Sequence, residues 1–167
     1  IGFSAGAHLA GMLSLLTGRP EITSVLGERA TSARPDAVVL AYPVVTMGEW
    51  AHEGSRDVIT GGDEVLKELL SLEKQITKEA PPAFLWHTQE DVCVPVENSL
   101  LLAAAYRRAG APFALHIFEH GPHGMSLVSP ETSDQTEYDR FLAPVGKWLP
   151  LSLDWLKSRG FSVRPRD

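Results

Sequence analysis

The sequence predicts an α/β domain: a mostly parallel sheet flanked by helices. Three observations carry the prediction. First, helical and strand patterns alternate along the 167 residues as helix, strand, helix, strand, helix, strand, helix. That order favours parallel strands joined by helical crossovers. Second, Ala37-Val38-Val39-Leu40-Ala41-Tyr42 is a short, continuous apolar run rich in β-branched residues. It reads as a strand covered on both faces. Third, Gly2-Phe3-Ser4-Ala5-Gly6 has the glycine spacing of a sharp strand-to-helix turn, and an apolar stretch follows at once.

That stretch, Ala5 to Leu16, is apolar almost all round and predicts a buried helix, which Gly18-Arg19-Pro20 stops. Residues 20–35 read as a short helix with a loop, and Arg34-Pro35-Asp36 punctuates before the strand at Ala37–Tyr42. Residues 43–82 form a long excursion, expected to build a lid or pocket wall. It is polar at Glu49 to Ser55, has a helical pattern at Asp63 to Leu70, and closes at Pro81-Pro82. A second strand is expected at Ala83–His87, followed by a loop through Asp91 to Pro95. Val96 to Ala109 predicts a helix, with Glu97 early, Arg107-Arg108 late and Gly110 just beyond. A third strand is expected at Phe113–Phe118. Val145 to Arg159 sets Trp148, Leu149, Leu153, Trp155 and Leu156 at helical intervals, with Pro150 tolerable only in a first turn or at a kink.

Composition narrows the function classes. The chain is 44% hydrophobic and 22% charged, ordinary for a globular domain, and 167 residues suit one domain. A net charge of −6, without basic runs, argues against nucleic acid or an anionic membrane as partner. The single cysteine, Cys93, excludes an internal disulfide. No apolar run approaches the ~20 residues of a membrane span. The expected compartment is the cytoplasm; that no secretory leader is visible says little, since one could precede Ile1.

In a parallel α/β sheet, ligands sit at the carboxyl ends of the strands. Three loops at that end hold Ser4, Asp91 and His123. Serine is a weak nucleophile near neutral pH and needs a base within reach. Histidine suits that task and can return the proton to a leaving group. A carboxylate fixes the imidazole tautomer and stabilises the imidazolium. Ser4 is therefore the expected nucleophile, His123 the base and acid, Asp91 the orienting carboxylate, and the Ala5 N–H one oxyanion donor. The chain order Ser, Asp, His is one of several that such relays use.

Other residues of the same chemical types compete for these roles. Glu90 competes with Asp91; Asp134, Asp139 and Asp154 read as caps or solvated faces. His116, inside a strand, reads as a packed side chain, and His120 as a shaper of the loop, whereas Gly124 gives the turn that a projecting His123 needs. The His116, His120 and His123 trio lacks a preset ligand face, so no metal is expected. His8 reads as a supporting polar group, and Cys93 as an inert packed thiol. Trp50 and His52 are candidates for substrate contact, as is Trp86, although the tryptophans suit a core equally well.

Four blocks carry a resemblance: Gly2 to Ala10, Pro81 to Thr88, Asp91 to Ser99 and His116 to Gly124. Together they resemble successive blocks of the α/β-hydrolase esterases, in the branch of acetyl esterases and acetylxylan-esterase-like carboxylesterases. The resemblance implies the α/β-hydrolase fold, an acyl-enzyme intermediate, no cofactor, and a small-molecule ester as substrate, with short acyl esters of sugars or small alcohols foremost. It carries the nucleophile, acid and histidine onto Ser4, Asp91 and His123. Ala7 stands where many members have glycine. The sequence contains no His-Gly-Gly-type oxyanion loop and lacks the fold's N-terminal strands. The chain is therefore expected to be the C-terminal part of a single such domain. Alternative readings are a silent half-domain that needs the missing N-terminal half, a prolyl-oligopeptidase-type peptidase, or a formamidase-like amide hydrolase; the partners expected besides substrate are that N-terminal half or a second copy in a homo-oligomer.

Overall fold

A computed structural model of the protein describes residues 1–27, 29–131, 134, 136 and 138–162. Four parallel strands lie side by side in chain order: β1 (Gly2–Phe3), β2 (Val38–Ala41), β3 (Ala83–Thr88) and β4 (Phe113–Phe118). Helices α1 (Ala5–Leu16), α2 (Pro20–Leu26) and α3 (Arg29–Ser32) separate β1 from β2. Helices α4 (Glu53–Thr60) and α5 (Glu64–Leu70) precede β3, α6 (Glu97–Ala109) joins β3 to β4, and α7 (Trp148–Ser158) closes the described chain.

Side-chain alternation on β2 and β3 builds two cores, because successive residues of a strand face opposite sides. Val38, Leu40, Ala83 and Leu85 face Ala7 of α1 and Leu102 and Tyr106 of α6. Val39, Ala41, Phe84 and Trp86 face Trp148 and Trp155 of α7. Trp86 and Trp148 stack at 5.3 Å between ring centroids. Both faces of the central strands are thus dry, which is why their sequence is continuously apolar. The α/β class and the parallel sheet agree with the sequence expectation.

Local differences have physical causes. The sequence predicts a helix only at Asp63 to Leu70 in this excursion, yet α4 starts already at Glu53 in its polar segment. His52 Nδ1 accepts from the Ser55 N–H at 3.2 Å, and Gly61 ends the helix in the left-handed region. Caps thus override a sequence of weak helix formers. Residues 20–35 hold two short helices rather than one. Pro150 is the third residue of α7, in its first turn, where a missing N–H costs no intrahelical bond. No described helix is long and apolar enough to cross a membrane.

β1 is the edge of the described sheet, and its neighbourhood is partly bare. Ile1 and Leu9 are more than 70% exposed, and a Cβ built on Gly6 would meet nothing within 4 Å. Gly2 is the opposite case. A Cβ there would lie 2.3 Å from the Gly6 carbonyl oxygen and 2.5 Å from Ala7 Cα. Only glycine lets α1 turn back this closely over β1.

Candidate active site

The turn after β1 places Ser4 at φ 54°, ψ −124°, a conformation that L-residues rarely adopt. Such strain persists only where the surroundings over-determine it. Here the Ser4 N–H donates to Ala41 O at 3.0 Å, while Ser4 O accepts from the N–H groups of Ala7, His8 and Val44. The Ala5 N–H is the first of α1, so helix geometry leaves it without an intrahelical acceptor. It belongs to the residue next to the Ser4 hydroxyl.

Ser4 Oγ lies 2.8 Å from His123 Nε2, and His123 Nδ1 lies 2.6 Å from Asp91 Oδ2. The carboxylate accepts at Nδ1, so the imidazole carries its proton there, and Nε2 is left to accept from the serine hydroxyl. The structure therefore brings together the three residues that the sequence placed on separate loops. Their separations along the chain, 119 and 32 residues, make this a product of the fold alone.

Each loop is held locally. Asp91 is buried at the end of β3, and its Oδ1 accepts the N–H groups of Cys93 at 3.0 Å and Val94 at 2.9 Å. Burial alone would raise this carboxyl. Hydrogen bonds from His87, His123 and Val94 outweigh it and hold the group at about 2. His123 follows the Gly121-Pro122 turn, and Gly124 beyond it has φ 84°. Tyr42 meets the His123 ring edge to face at 5.0 Å and accepts the Ser126 N–H on its hydroxyl. Glu90, the rival carboxylate, instead accepts from Gly121 N at 3.1 Å and pairs with His120 Nδ1 at 3.0 Å. These bonds hold its carboxyl below the ordinary range. Glu90 thus clips the histidine loop to the Asp91 loop.

The remaining expectations find plain places. His8 Nε2 donates to Leu70 O at 2.8 Å, tying α1 to α5, and burial pushes its imidazole below the ordinary range. His116 stacks on Phe84. Trp86 is fully buried in the core. Asp134 accepts from Thr136 N, and Asp154 pairs with Lys157 on the surface; the Asp139 side chain lies outside the described residues. Among the described residues no cluster of His, Cys, Asp and Glu could hold a metal ion. One expectation is corrected: Cys93 is exposed, not packed. Its N–H donates to Asp91 Oδ1 while its side chain lies at the surface.

A cavity of about 720 Å³ opens beside Ala5, walled by His8, Leu9, Met12 and Leu13 of α1 and by Val58 and Ile59 of α4. His52 lines it; Trp50 is not in its wall. Instead the Trp50 carbonyl accepts from Asn98 Nδ2, while Asn98 Oδ1 accepts the N–H groups of Val45 and Thr46. This fully buried asparagine fastens the loop after β2 to α6. The sequence alone assigned it no role, and assigned none to His87 or Ser99. A histidine in an apolar strand four residues before Asp91 was the available signal.

Residues 1–106 match the BD-FAE family, and the chain belongs to it. The chain is 41% identical over 138 residues to endo-1,4-beta-xylanase B of Butyrivibrio fibrisolvens, covering 78% of this chain and 21% of that protein. It is 28% identical over 156 residues to acetylxylan esterase of Xylanibacter ruminicola, covering 89% of this chain and 29% of that protein. Among solved structures, the acetyl ester-xyloside bifunctional hydrolase of Caldicellulosiruptor lactoaceticus superposes with a TM-score of 0.76 at 40% identity, covering 97% of this chain and 56% of that one. The fold is that of the α/β-hydrolase esterases. The chain spans under a third of the curated relatives it matches and a little over half of this solved one.

Proposed function

We propose that the protein hydrolyses carboxylic esters through Ser4, His123 and Asp91. One observation carries the reading: the unbroken hydrogen-bonded line from Ser4 Oγ through His123 to Asp91. His123 Nε2 takes the hydroxyl proton as Ser4 Oγ bonds to the acyl carbon. The oxyanion that forms accepts the Ala5 N–H, and the Asp91 carboxylate stabilises the imidazolium. His123 then gives the proton to the departing alkoxide, and an acyl-Ser4 ester remains. Water attacks this ester while His123 takes its proton, and collapse returns the hydroxyl to Ser4 and releases the acid.

The names of the similar proteins, an acetylxylan esterase and an acetyl ester-xyloside hydrolase, favour short acyl esters of sugars or small alcohols as substrates. His52, in the cavity wall, is proposed to touch the substrate, as is Trp50 on the adjoining loop that Asn98 fastens. We read the chain as the C-terminal part of one longer domain, with the excursion at residues 43–82 as its pocket wall. The bare edge at Ile1 and the 56% coverage of the solved hydrolase support that reading. The test is hydrolysis of 4-nitrophenyl acetate by the full-length protein and by its Ser4→Ala variant. The variant should lose roughly 10³-fold or more in kcat; equal rates would end the proposal.

A further inference from the structure

The Asp91 carboxylate carries a second imidazole. His87 Nε2 lies 3.2 Å from Asp91 Oδ2 and 3.0 Å from Val94 O, and His87 Nδ1 lies 2.8 Å from Ser99 Oγ. Both neighbours of Nε2 are acceptors, so Nε2 carries the proton and donates to both. Nδ1 is then the acceptor, and the Ser99 hydroxyl donates to it. His87 and Ser99 are fully buried, and every polar atom of the two side chains is used.

Packing alone does not call for this arrangement. His87 follows Ala83 and Leu85 on the same face of β3, where an apolar side chain would fill the space without the cost of burying an imidazole. The arrangement adds a second donor to Oδ2, the oxygen that also receives His123. A carboxylate is free to turn about its last torsion, which is broad. Oδ1 is held by two backbone N–H groups, and His87 holds Oδ2 independently of His123.

We propose that His87, seated by Ser99, is a positioning residue that keeps Asp91 Oδ2 aimed at His123 through both proton transfers. The proposal rests on the roles given above to Ser4, His123 and Asp91. His87 touches no reacting atom; it acts through Asp91. Its loss leaves Oδ2 held by His123 alone, so the carboxylate pivots about the Oδ1 anchored by Cys93 and Val94, and His123 then spends part of its time misaligned. The cost falls on the chemical step and leaves ester binding alone.

The test uses the full-length protein and a short-chain nitrophenyl ester. His87→Met keeps the bulk and removes the donor, while His87→Gln places an amide N–H near the position of Nε2. The Met variant should lose roughly tenfold or more in kcat, the scale of one lost hydrogen bond to a charged group, with KM within about twofold. The Gln variant should recover to within about threefold of the parent. A folded Met variant with the parent's kcat, a Gln variant as slow as Met, or a loss expressed in KM would overturn the proposal. Should the Met variant not fold, Ser99→Ala decides: a lowered kcat at unchanged KM supports the role, and an unchanged kcat overturns it. Ser4→Ala separates the two levels. A parental rate in that variant would overturn the relay itself, whereas a parental rate in His87→Met, in an enzyme that needs Ser4, overturns only the positioning role.

Discussion

Asp91 is the residue on which most of the local hydrogen bonding converges. Its carboxyl is held at about 2, below its ordinary 3.8, because the donors around it outweigh its burial. A carboxyl lowered by folding adds stability that is complete above its unfolded value and is lost as pH falls towards its folded one. The window is therefore about pH 4 down to 2, and the size is roughly 2 kcal/mol. Unfolding measured across that window should steepen in the parent and flatten in Asp91→Asn. An equal slope in both would show that Asp91 gains nothing on folding. On catalysis, Asp91→Asn should cost roughly 10³–10⁴-fold in kcat, because an amide can donate to Nδ1 and stabilise the wrong tautomer. Ser4 and His123 were legible because each follows a strand with a turn glycine close by, whereas Asp91 was separated from the neighbouring Glu90 only by the family resemblance. His87, Ser99 and Asn98 were not legible as supports, because their meaning lies in contacts across the fold. Local spacing says nothing of a serine on α6 reaching a histidine on β3.

At the scale of elements, the turn between β1 and α1 sets where the serine hydroxyl stands. Gly2 has no room for a methyl group, and the obstructing atoms are backbone that cannot move aside. Gly2→Ala should therefore cost about 1–3 kcal/mol, seen as a lower Tm, and should reduce kcat in the protein that stays folded. A variant with the parent's Tm and kcat would contradict this account of the turn. The strands β3 and β4 and the helices α1 and α6 were legible to within a residue or so, since apolar runs, charges and the Gly110 cap all agree. Helix α4 was not, because the Glu53–Thr60 sequence carries few good helix formers and its stability comes from the His52 and Gly61 caps. The exposure of Cys93 was hidden because local spacing does not say which side chain of this loop faces the interior: Cys93 is exposed and Val94 beside it is buried, although both N–H groups bond Asp91.

At the scale of the whole molecule, two dry faces around β2 and β3 hold the three loops at one rim, while the β1 side remains bare. In this chain alone, Gly6→Ala in α1 meets no atom and should leave stability unchanged or raise it by up to about 1 kcal/mol. In the full-length protein, a marked loss of Tm in Gly6→Ala would show a segment packed on that face; no loss would count against one. Under the proposed function, Ser4 Oγ is made nucleophilic by a relay assembled from distant loops. The most direct measurement of this is reaction of the full-length protein with a fluorophosphonate probe, followed by peptide mapping. The account predicts a single modified peptide carrying the phosphonyl group on Ser4, with labelling abolished in His123→Ala. Modification at another serine, or undiminished labelling of Ser4 without His123, would contradict it.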